Sequence, residues 1–175
     1  SFSPEIIDGL DLVFCALPHG VSQNVIPDIF GTVGHIVDLG SDFRLKDPSL
    51  YKKWYGSEHT CPELLNDFVY GLPELFRNEI ERASLIAATG CNAAAAIFAL
   101  APFVQSQAIE SDAMIVDLIT GVSGAGRPPK EHTTFCTVSG NITPYGLLTH
   151  RHTPEIEQAL TTFGGDTSSV LFTPH

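Results

Sequence analysis

A cysteine at the predicted start of a helix is the residue best suited to covalent chemistry in this chain. Residues 84–88 form an apolar run typical of a buried strand, Gly90 allows a tight turn, and residues 92–104 are rich in alanine, the strongest helix former. Cys91 thus begins the predicted helix, where backbone N–H groups and the helix dipole favour a thiolate and can bind an oxyanion. The pattern indicates a nucleophile; the alternative is a buried, packing cysteine.

Two histidines flank an arginine ahead of the last predicted helix. Either His150 or His152 can serve a thiol nucleophile as acid or base, and Arg151 can bind a carboxylate or phosphate. Two alternatives stay open: the histidines are solvated residues of a loop, or they form half of a metal site. The four cysteines are scattered, and no downstream Asp or His has the spacing of a zinc hydrolase. We therefore predict no metal.

Three further segments can receive an anionic ligand. Residues 121–127 are rich in glycine and end in Arg127, so their backbone N–H groups can approach an anion closely, although a flexible connection is equally compatible. Arg44 follows one predicted strand and Pro18-His19-Gly20 follows another, and ligands of open α/β sheets collect at such strand ends. The alternative for Arg44 is a surface ion pair.

Alternating apolar runs and amphipathic segments predict the elements that must position these residues. Strand, helix, strand at the start of the chain is a βαβ pattern, which favours a parallel sheet. Thr153 is the predicted cap of the last helix, with Pro154 at its first position. The predicted strands span 11–17, 35–39, 84–88, 113–119, 133–138 and 169–172, and the helices 22–30, 72–83 and 92–104.

Composition narrows the class of protein. The 175 residues are 43% hydrophobic and carry a formal charge of −11, which suits a folded domain but not a general binder of nucleic acid or anionic membrane. No apolar stretch is long enough to cross a bilayer, and residues 1–5 lack the basic region and apolar core of a signal peptide. The dispersed cysteines are typical of free thiols in a reducing compartment, so we predict a cytoplasmic protein.

Nine segments, in order along nearly the whole chain, resemble the N-acetyl-γ-glutamyl-phosphate reductase family. That family belongs to the superfamily of aspartate-semialdehyde dehydrogenase. The most specific segments are HRHTPEIEQ and YGLPEL with the cysteine that follows. The nine are ALPHGVS, VDLGSDFRLKD, YKKWYG, EHTCPELL, VYGLPELFR, GCNA, GVSGAGR, HRHTPEIEQ and FTPH.

The resemblance implies a fold of two parts. Residues 1–40 would be the tail of an NADP-binding Rossmann domain. Residues 41–175 would belong to a glyceraldehyde-3-phosphate-dehydrogenase-like catalytic and dimerisation domain with a mixed sheet. We note a composition change near residue 40 that agrees with this boundary. A homo-oligomer, dimer or tetramer, is implied as well.

The resemblance also implies an NADPH-dependent oxidoreductase of arginine biosynthesis. The Cys91 thiolate would attack an acyl phosphate and form a thioester, which hydride reduces to the aldehyde. His152 is the favoured acid/base, with His150 the alternative. The remaining implied roles are substrate binding by Arg44, Ser123, Gly124, Arg127 and Arg151, and cofactor binding by Pro18, His19, Gly20 and Gly90.

Two departures from the family pattern leave alternatives open. Common bacterial members have Cys-Tyr-Pro-Thr at the nucleophile, whereas here Asn92 follows Cys91, as in related reductases of carrier-linked aminoadipyl or glutamyl phosphates. The Gly-rich pyrophosphate loop does not precede Asp11, so we expect an internal fragment that binds NADP poorly and is inactive alone. A non-catalytic domain of the same fold is the third possibility.

Overall fold

The computed structural model describes residues 4–175. Residues 1–3, on which the expectation about a signal peptide partly rests, lie outside the described part. The chain forms two compact units that meet in sequence between Cys91 and Asn92. We describe each unit by itself below, as unit 1 and unit 2.

Unit 1 is built on a parallel sheet of four short strands in the order β1-β2-β4-β3. All three pairings are parallel, so the carboxyl ends of the strands lie at one edge, with Asp38 opposite both Cys15 and Ala87. The strands are β1 Leu12–Cys15, β2 His35–Asp38, β3 Val69–Gly71 and β4 Leu85–Ala88.

The core of unit 1 includes buried residues of the sheet, of α1 Ser22–Ile29 and of α2 Ser49–Tyr55. The helix α3 Pro73–Ile80 has no buried residue, and 3-10 turns lie at Pro4–Ile6 and Pro62–Leu64. Ile26 and Ile29 lie three positions apart, on one face of α1, and both are buried. Phe43 stacks on Phe68, with ring centroids 4.1 Å apart, and both rings are buried in the same cluster.

Unit 2 contains the long helix α4, Cys91–Gln105, whose first residue belongs to unit 1, and two parallel strands, β5 Met114–Leu118 and β6 Val170–Pro174. Its other elements are α5 Phe135–Val138, α6 Thr153–Gly164 and 3-10 turns at Val122–Ala125 and Glu131–Thr133. A β-carbon on Gly164 would lie 2.5 Å from Val104 Cγ1, so glycine is what lets α6 approach α4 this closely. Within residues 4–175, no helix combines the length and apolar character that a membrane span requires.

The structure confirms the α/β class and the parallel βαβ start, and it corrects local details. The strand predicted over 133–138 is wrong, because these mostly exposed residues form the end of a 3-10 turn and the short helix α5. The three-residue strand β3 was not predicted. The last helix begins at Thr153 with His152 in the cap position, so Thr153 is not its cap. In the described residues, the expected mixed sheet of the second part is represented by the parallel pair β5-β6. The predicted boundary near residue 40 falls inside unit 1, where β2 pairs with β4; as a statement about the whole protein it stays a prediction.

The central strand β2 provides a test of this packing. Ile36 is 1% exposed and Leu39, just beyond the strand, is 47% exposed. We expect Ile36→Ala to lower the free energy of unfolding by about 2–5 kcal/mol, because it leaves a cavity in the core, and Leu39→Ala to lower it by less than about 1 kcal/mol. Denaturant unfolding followed by circular dichroism measures both; equal effects would contradict the described core.

Candidate active site

Three connections at the carboxyl edge of the unit 1 sheet carry most of the predicted site residues. Because the strands are parallel, the segments that follow β1, β2 and β4 start from the same edge. These segments hold Pro18, His19 and Gly20 after β1, Arg44 after β2, and Gly90 and Cys91 after β4.

His19 is held by a buried carboxylate from the neighbouring connection. Its Nδ1 lies 2.6 Å from Asp42 Oδ1 and 3.0 Å from Ser41 Oγ. Asp42 is fully buried. A carboxylate only accepts hydrogen bonds, so the shared proton is on Nδ1 and the contact fixes the direction in which Nε2 points.

Asp42 also accepts hydrogen bonds from backbone N–H groups at the start of α1. Its two carboxylate oxygens accept from the Gly20 N–H at 2.9 and 3.0 Å, and Oδ2 accepts from the Gln23 N–H at 3.2 Å. Burial acts to raise the pKa of the Asp42 carboxyl, but the hydrogen bonds from His19 and the backbone outweigh it, so this pKa lies below its ordinary value. Asp42 is therefore a charged group with a full set of donors.

The other face of His19 fits a role in binding a ligand. The ring stacks on Tyr55, with centroids 4.3 Å apart. Among residues 4–175, His19 Nε2 has no hydrogen-bond partner although it is buried. A buried nitrogen without a partner costs free energy, and a polar group of a bound molecule would remove that cost. That residues 18–20 bind a nicotinamide cofactor stays a prediction.

Arg44 joins the ends of the two central strands. Its Nε donates to Ala88 O at 2.8 Å and its Nη2 donates to Leu39 O at 3.2 Å. The side chain is only 8% exposed. Arg44 therefore supports the turn between β4 and Cys91 directly, which the sequence did not indicate. On the same turn, Thr89 Oγ1 lies 2.6 Å from the Tyr70 hydroxyl.

Cys91 is the first residue of α4 and is exposed. Cys15 and Cys61 are buried instead, and burial raises the pKa of both thiols, that of Cys61 to about 11. Cys136 is exposed but lies in the four-residue helix α5. Cys91 is thus the cysteine that combines exposure with the start of a long helix.

The two histidines of unit 2 lie against each other. The His150 and His152 rings have centroids 4.7 Å apart, and the backbone N–H of His152 donates to His150 Nδ1 at 3.1 Å. Burial, with the nearby His152 and Arg151, lowers the pKa of His150 to about 4. At neutral pH His150 is uncharged, and because Nδ1 is an acceptor its proton is on Nε2.

The remaining predicted substrate residues are exposed. Ser123, Gly124 and Arg127 lie on or beside the turn Val122–Ala125, and the described hydrogen bonds of Ser123 and Gly124 stay inside that loop. Arg151 is exposed between the histidines.

No cluster of three or more His, Cys, Asp or Glu side chains suited to a metal occurs among residues 4–175. Sequence reasoning missed Asp42, although its position after a strand, two residues before Arg44, was an available signal.

Two family models match the chain. Residues 1–83 match the model described as semialdehyde dehydrogenase, NAD binding domain, and residues 91–175 match the model described as semialdehyde dehydrogenase, dimerisation domain. The division between the two matches agrees with the division of the chain at Cys91. The first match supports a nicotinamide cofactor.

Curated proteins similar to this chain are named N-acetyl-gamma-glutamyl-phosphate reductase. Those of Desulforamulus reducens and Symbiobacterium thermophilum are 42% and 44% identical over 98% and 99% of this chain. That of Paracoccus denitrificans is 48% identical over 95% of the chain. The chain spans about half the length of these relatives, 48% to 50%.

A solved structure with the same fold is aspartate semialdehyde dehydrogenase II from Vibrio cholerae. It superimposes with a TM-score of 0.61 at 16% sequence identity, over 99% of this chain and 52% of that one. At this identity the likeness concerns the fold alone, and it agrees with the predicted fold class.

Replacing Asp42 tests the account of the carboxyl edge. Asp42→Asn removes the charged acceptor of His19 and α1, so we expect it to lower the free energy of unfolding at pH 7 by about 1.5–3 kcal/mol. The folded-state pKa of Asp42 is lowered. The stabilisation is therefore complete above the unfolded-state pKa of about 3.9 and is lost as pH falls through the folded value.

Asp28→Asn is the matched control, since Asp28 is exposed on the same helix. We expect it to change stability by less than about 0.5 kcal/mol. Urea unfolding at pH 7 and at pH 3 measures both variants. An Asp42→Asn deficit that stays the same at both pH values would contradict the charged role of Asp42.

Proposed function

The chain belongs to the semialdehyde dehydrogenase family, and from this premise we propose that it is part of a longer NADPH-dependent reductase of N-acetyl-γ-glutamyl phosphate in arginine biosynthesis. The observation that carries the proposal is Cys91, exposed at the first residue of α4 directly after a strand of a parallel sheet. The names of the curated relatives support the substrate.

The first chemical step uses Cys91. Its thiolate attacks the carbonyl carbon of the acyl phosphate, a C–S bond forms, and the bond from carbon to the phosphate oxygen breaks with release of phosphate. The backbone N–H groups at the start of α4 can stabilise the oxyanion that forms on the way. The product is a thioester on Cys91.

The second step reduces this thioester to an aldehyde. The nicotinamide, when bound, supplies the hydride. A histidine transfers the proton in this step. It protonates the oxygen of the thiohemiacetal that forms on Cys91, and it takes the proton back as the C–S bond breaks. The aldehyde leaves and the thiolate is regenerated. His19 and the backbone of residues 18–20 would bind the cofactor, with Gly90 beside it.

The state of His150 supports His152 as the acid/base. Nδ1 of His150 already accepts the His152 N–H, and with a pKa of about 4 its ring stays neutral at pH 7. A group of this kind is a weak proton carrier but a fixed hydrogen-bond donor through Nε2. We therefore assign proton transfer to His152 and hydrogen bonding to His150.

Arginines and glycine-rich backbone would receive the two anionic groups of the substrate. Arg151 offers a guanidinium group that suits a carboxylate or phosphate, and Ser123, Gly124 and Arg127 would bind the same substrate. Arg44, whose Nε and Nη2 donate to backbone carbonyls, would contribute its positive charge. The exposure of residues 121–130 suits a loop that meets substrate from solvent.

The carrier-linked substrate rested on Asn92, and the contacts of this residue give it no support. Asn92 is 4% exposed, and its Nδ2 donates to the Tyr145 hydroxyl at 3.0 Å. The side chain is thus committed to packing inside unit 2. The chain also carries a net charge of −11, which disfavours docking of an acidic carrier. We therefore retain the free N-acetylated substrate.

The second family match concerns assembly. Because residues 91–175 match a dimerisation domain, we propose that the whole protein forms a homo-oligomer. Several large apolar side chains of unit 2 are exposed in the single chain, which is consistent with such an interface; they include Ile115, Ile119 and Leu171 at 72%, 72% and 54%.

Replacement of the nucleophile is the main test. In the full-length protein, Cys91→Ser should reduce the rate of acyl-phosphate reduction by more than about 10³-fold, because a serine hydroxyl is a much weaker nucleophile than a cysteine thiolate. The assay follows NADPH oxidation, with NADH as the comparison reductant. Cys136→Ser, at the other exposed cysteine, should keep the wild-type rate. More than a few per cent of wild-type activity in Cys91→Ser would overturn the assignment.

Substituting the histidines one at a time separates their roles. His152→Asn should lower kcat by about 10²–10⁴-fold, the usual contribution of a general acid/base. His150→Asn should lower kcat less, because the side-chain amide of asparagine can still donate a hydrogen bond. Steady-state kinetics on both variants decide: a crippled His150→Asn beside a mildly affected His152→Asn would exchange the two roles.

A further inference from the structure

Tyr145 connects three elements of unit 2. Its hydroxyl accepts a hydrogen bond from Asn92 Nδ2 at 3.0 Å, in the first turn of α4. Its backbone N–H donates to Pro174 O at 3.0 Å, at the end of β6. Its ring meets the His150 ring edge-to-face, with centroids 5.4 Å apart. One residue thus contacts the residue after Cys91, the strand β6 and the histidine pair.

The next residue completes a close-fitting seat for His150. Gly146 has φ of +58°, and a β-carbon there would lie 3.2 Å from His150 Cδ2 and 3.4 Å from His150 Cβ. Both the backbone angle and the spacing therefore favour glycine. Phe172 of β6 packs edge-to-face on the imidazole, at 5.1 Å between centroids.

The charged and titratable groups around His150 are few. His152 and Arg151 disfavour its protonation by their charge, and Glu155, in the first turn of α6, favours it. Burial is the largest cause of the lowered pKa of His150. The state of the imidazole therefore depends chiefly on how tightly Tyr145, Gly146 and Phe172 cover it.

We propose that Tyr145 is a positioning residue, which uses its hydrogen bond to Asn92 to hold His150 against the first turn of the helix that begins with Cys91. The inference rests on the proposed function only for its effect on catalysis. It also gives Asn92 a role: its amide fixes the tyrosine rather than contacting substrate. The pair Asn92–Tyr145 would then be a unit, in which loss of either partner has the same effect.

A variant that removes only the hydroxyl tests this. In the full-length protein, Tyr145→Phe keeps the ring but frees it from α4, so we expect kcat to fall about 10-fold while KM changes less than about 2-fold. In ¹⁵N-histidine NMR spectra, the His150 pKa should rise from its lowered value toward the ordinary value, because the imidazole is covered less tightly. Asn92→Ala should have the same effects, and the double variant should add nothing further.

Tyr51→Phe is the matched control. The Tyr51 hydroxyl accepts from the Leu45 N–H at 3.2 Å and donates to Leu45 O at 3.4 Å in unit 1, so this variant also loses the hydrogen bonds of a tyrosine hydroxyl. It should lower stability while leaving the His150 titration and kcat unchanged. If Tyr145→Phe behaves like Tyr51→Phe, or if the two unit 2 substitutions add independently, the positioning role is wrong. If the wild-type protein reduces no acyl phosphate but the His150 pKa still rises in Tyr145→Phe, the proposed function fails and the positioning role stands.

Discussion

Parallel pairing of β1, β2 and β4 is the constraint on which the rest of unit 1 depends. It puts the carboxyl ends of three strands at one edge, and with them His19, Asp42, Arg44 and Cys91. None of these residues is near another of the set in sequence except Asp42 and Arg44. The sheet brings their connections together, and two buried polar side chains then fix the details. Asp42 orients His19 and closes α1, while Arg44 ties the end of β4 to the end of β2.

Burying these charged groups is costly, and the structure offsets the cost with hydrogen bonds rather than with ion pairs between long surface side chains. Asp42 accepts from a histidine and two backbone N–H groups, and Arg44 donates to two backbone carbonyls. Such bonds are directional, so each side chain has one arrangement. In unit 2 the uncharged imidazole of His150 is fixed in a similar way. It contacts aromatic rings and accepts a hydrogen bond from the backbone N–H of His152. Within each unit these contacts fix the side chains without a ligand, which suits the proposed catalysis by positioned groups.

The sequence predicted the elements with a clear local signal. The apolar runs of β1, β2 and β4 and the alanine-rich α4 placed Cys91 correctly at a helix start, because each depends on neighbouring residues. The strand β3 was missed since three residues carry little pattern, and residues 133–138 were misassigned because their composition, with Thr133, Thr134 and Val138, favours strands while their exposed position permits a turn. The contacts of Asp42 with His19 and of Asn92 with Tyr145 span 23 and 53 positions, 42 − 19 and 145 − 92, so no local pattern reports them. Residue types thus indicated candidate reactive groups, whereas the side chains that contact them became visible only in the fold.

The central claim, a thioester on Cys91, can be tested without reduction taking place. The full-length protein is mixed with N-acetyl-γ-glutamyl phosphate, made in situ, in the absence of any nicotinamide cofactor, and is then acid-quenched for intact and peptide mass spectrometry. The account predicts one acyl group per chain on the peptide that contains Cys91, sensitive to hydroxylamine, with release of about one equivalent of phosphate before slow hydrolysis. Phosphate release without acylation of Cys91, or acylation spread equally over Cys91 and Cys136, would contradict it.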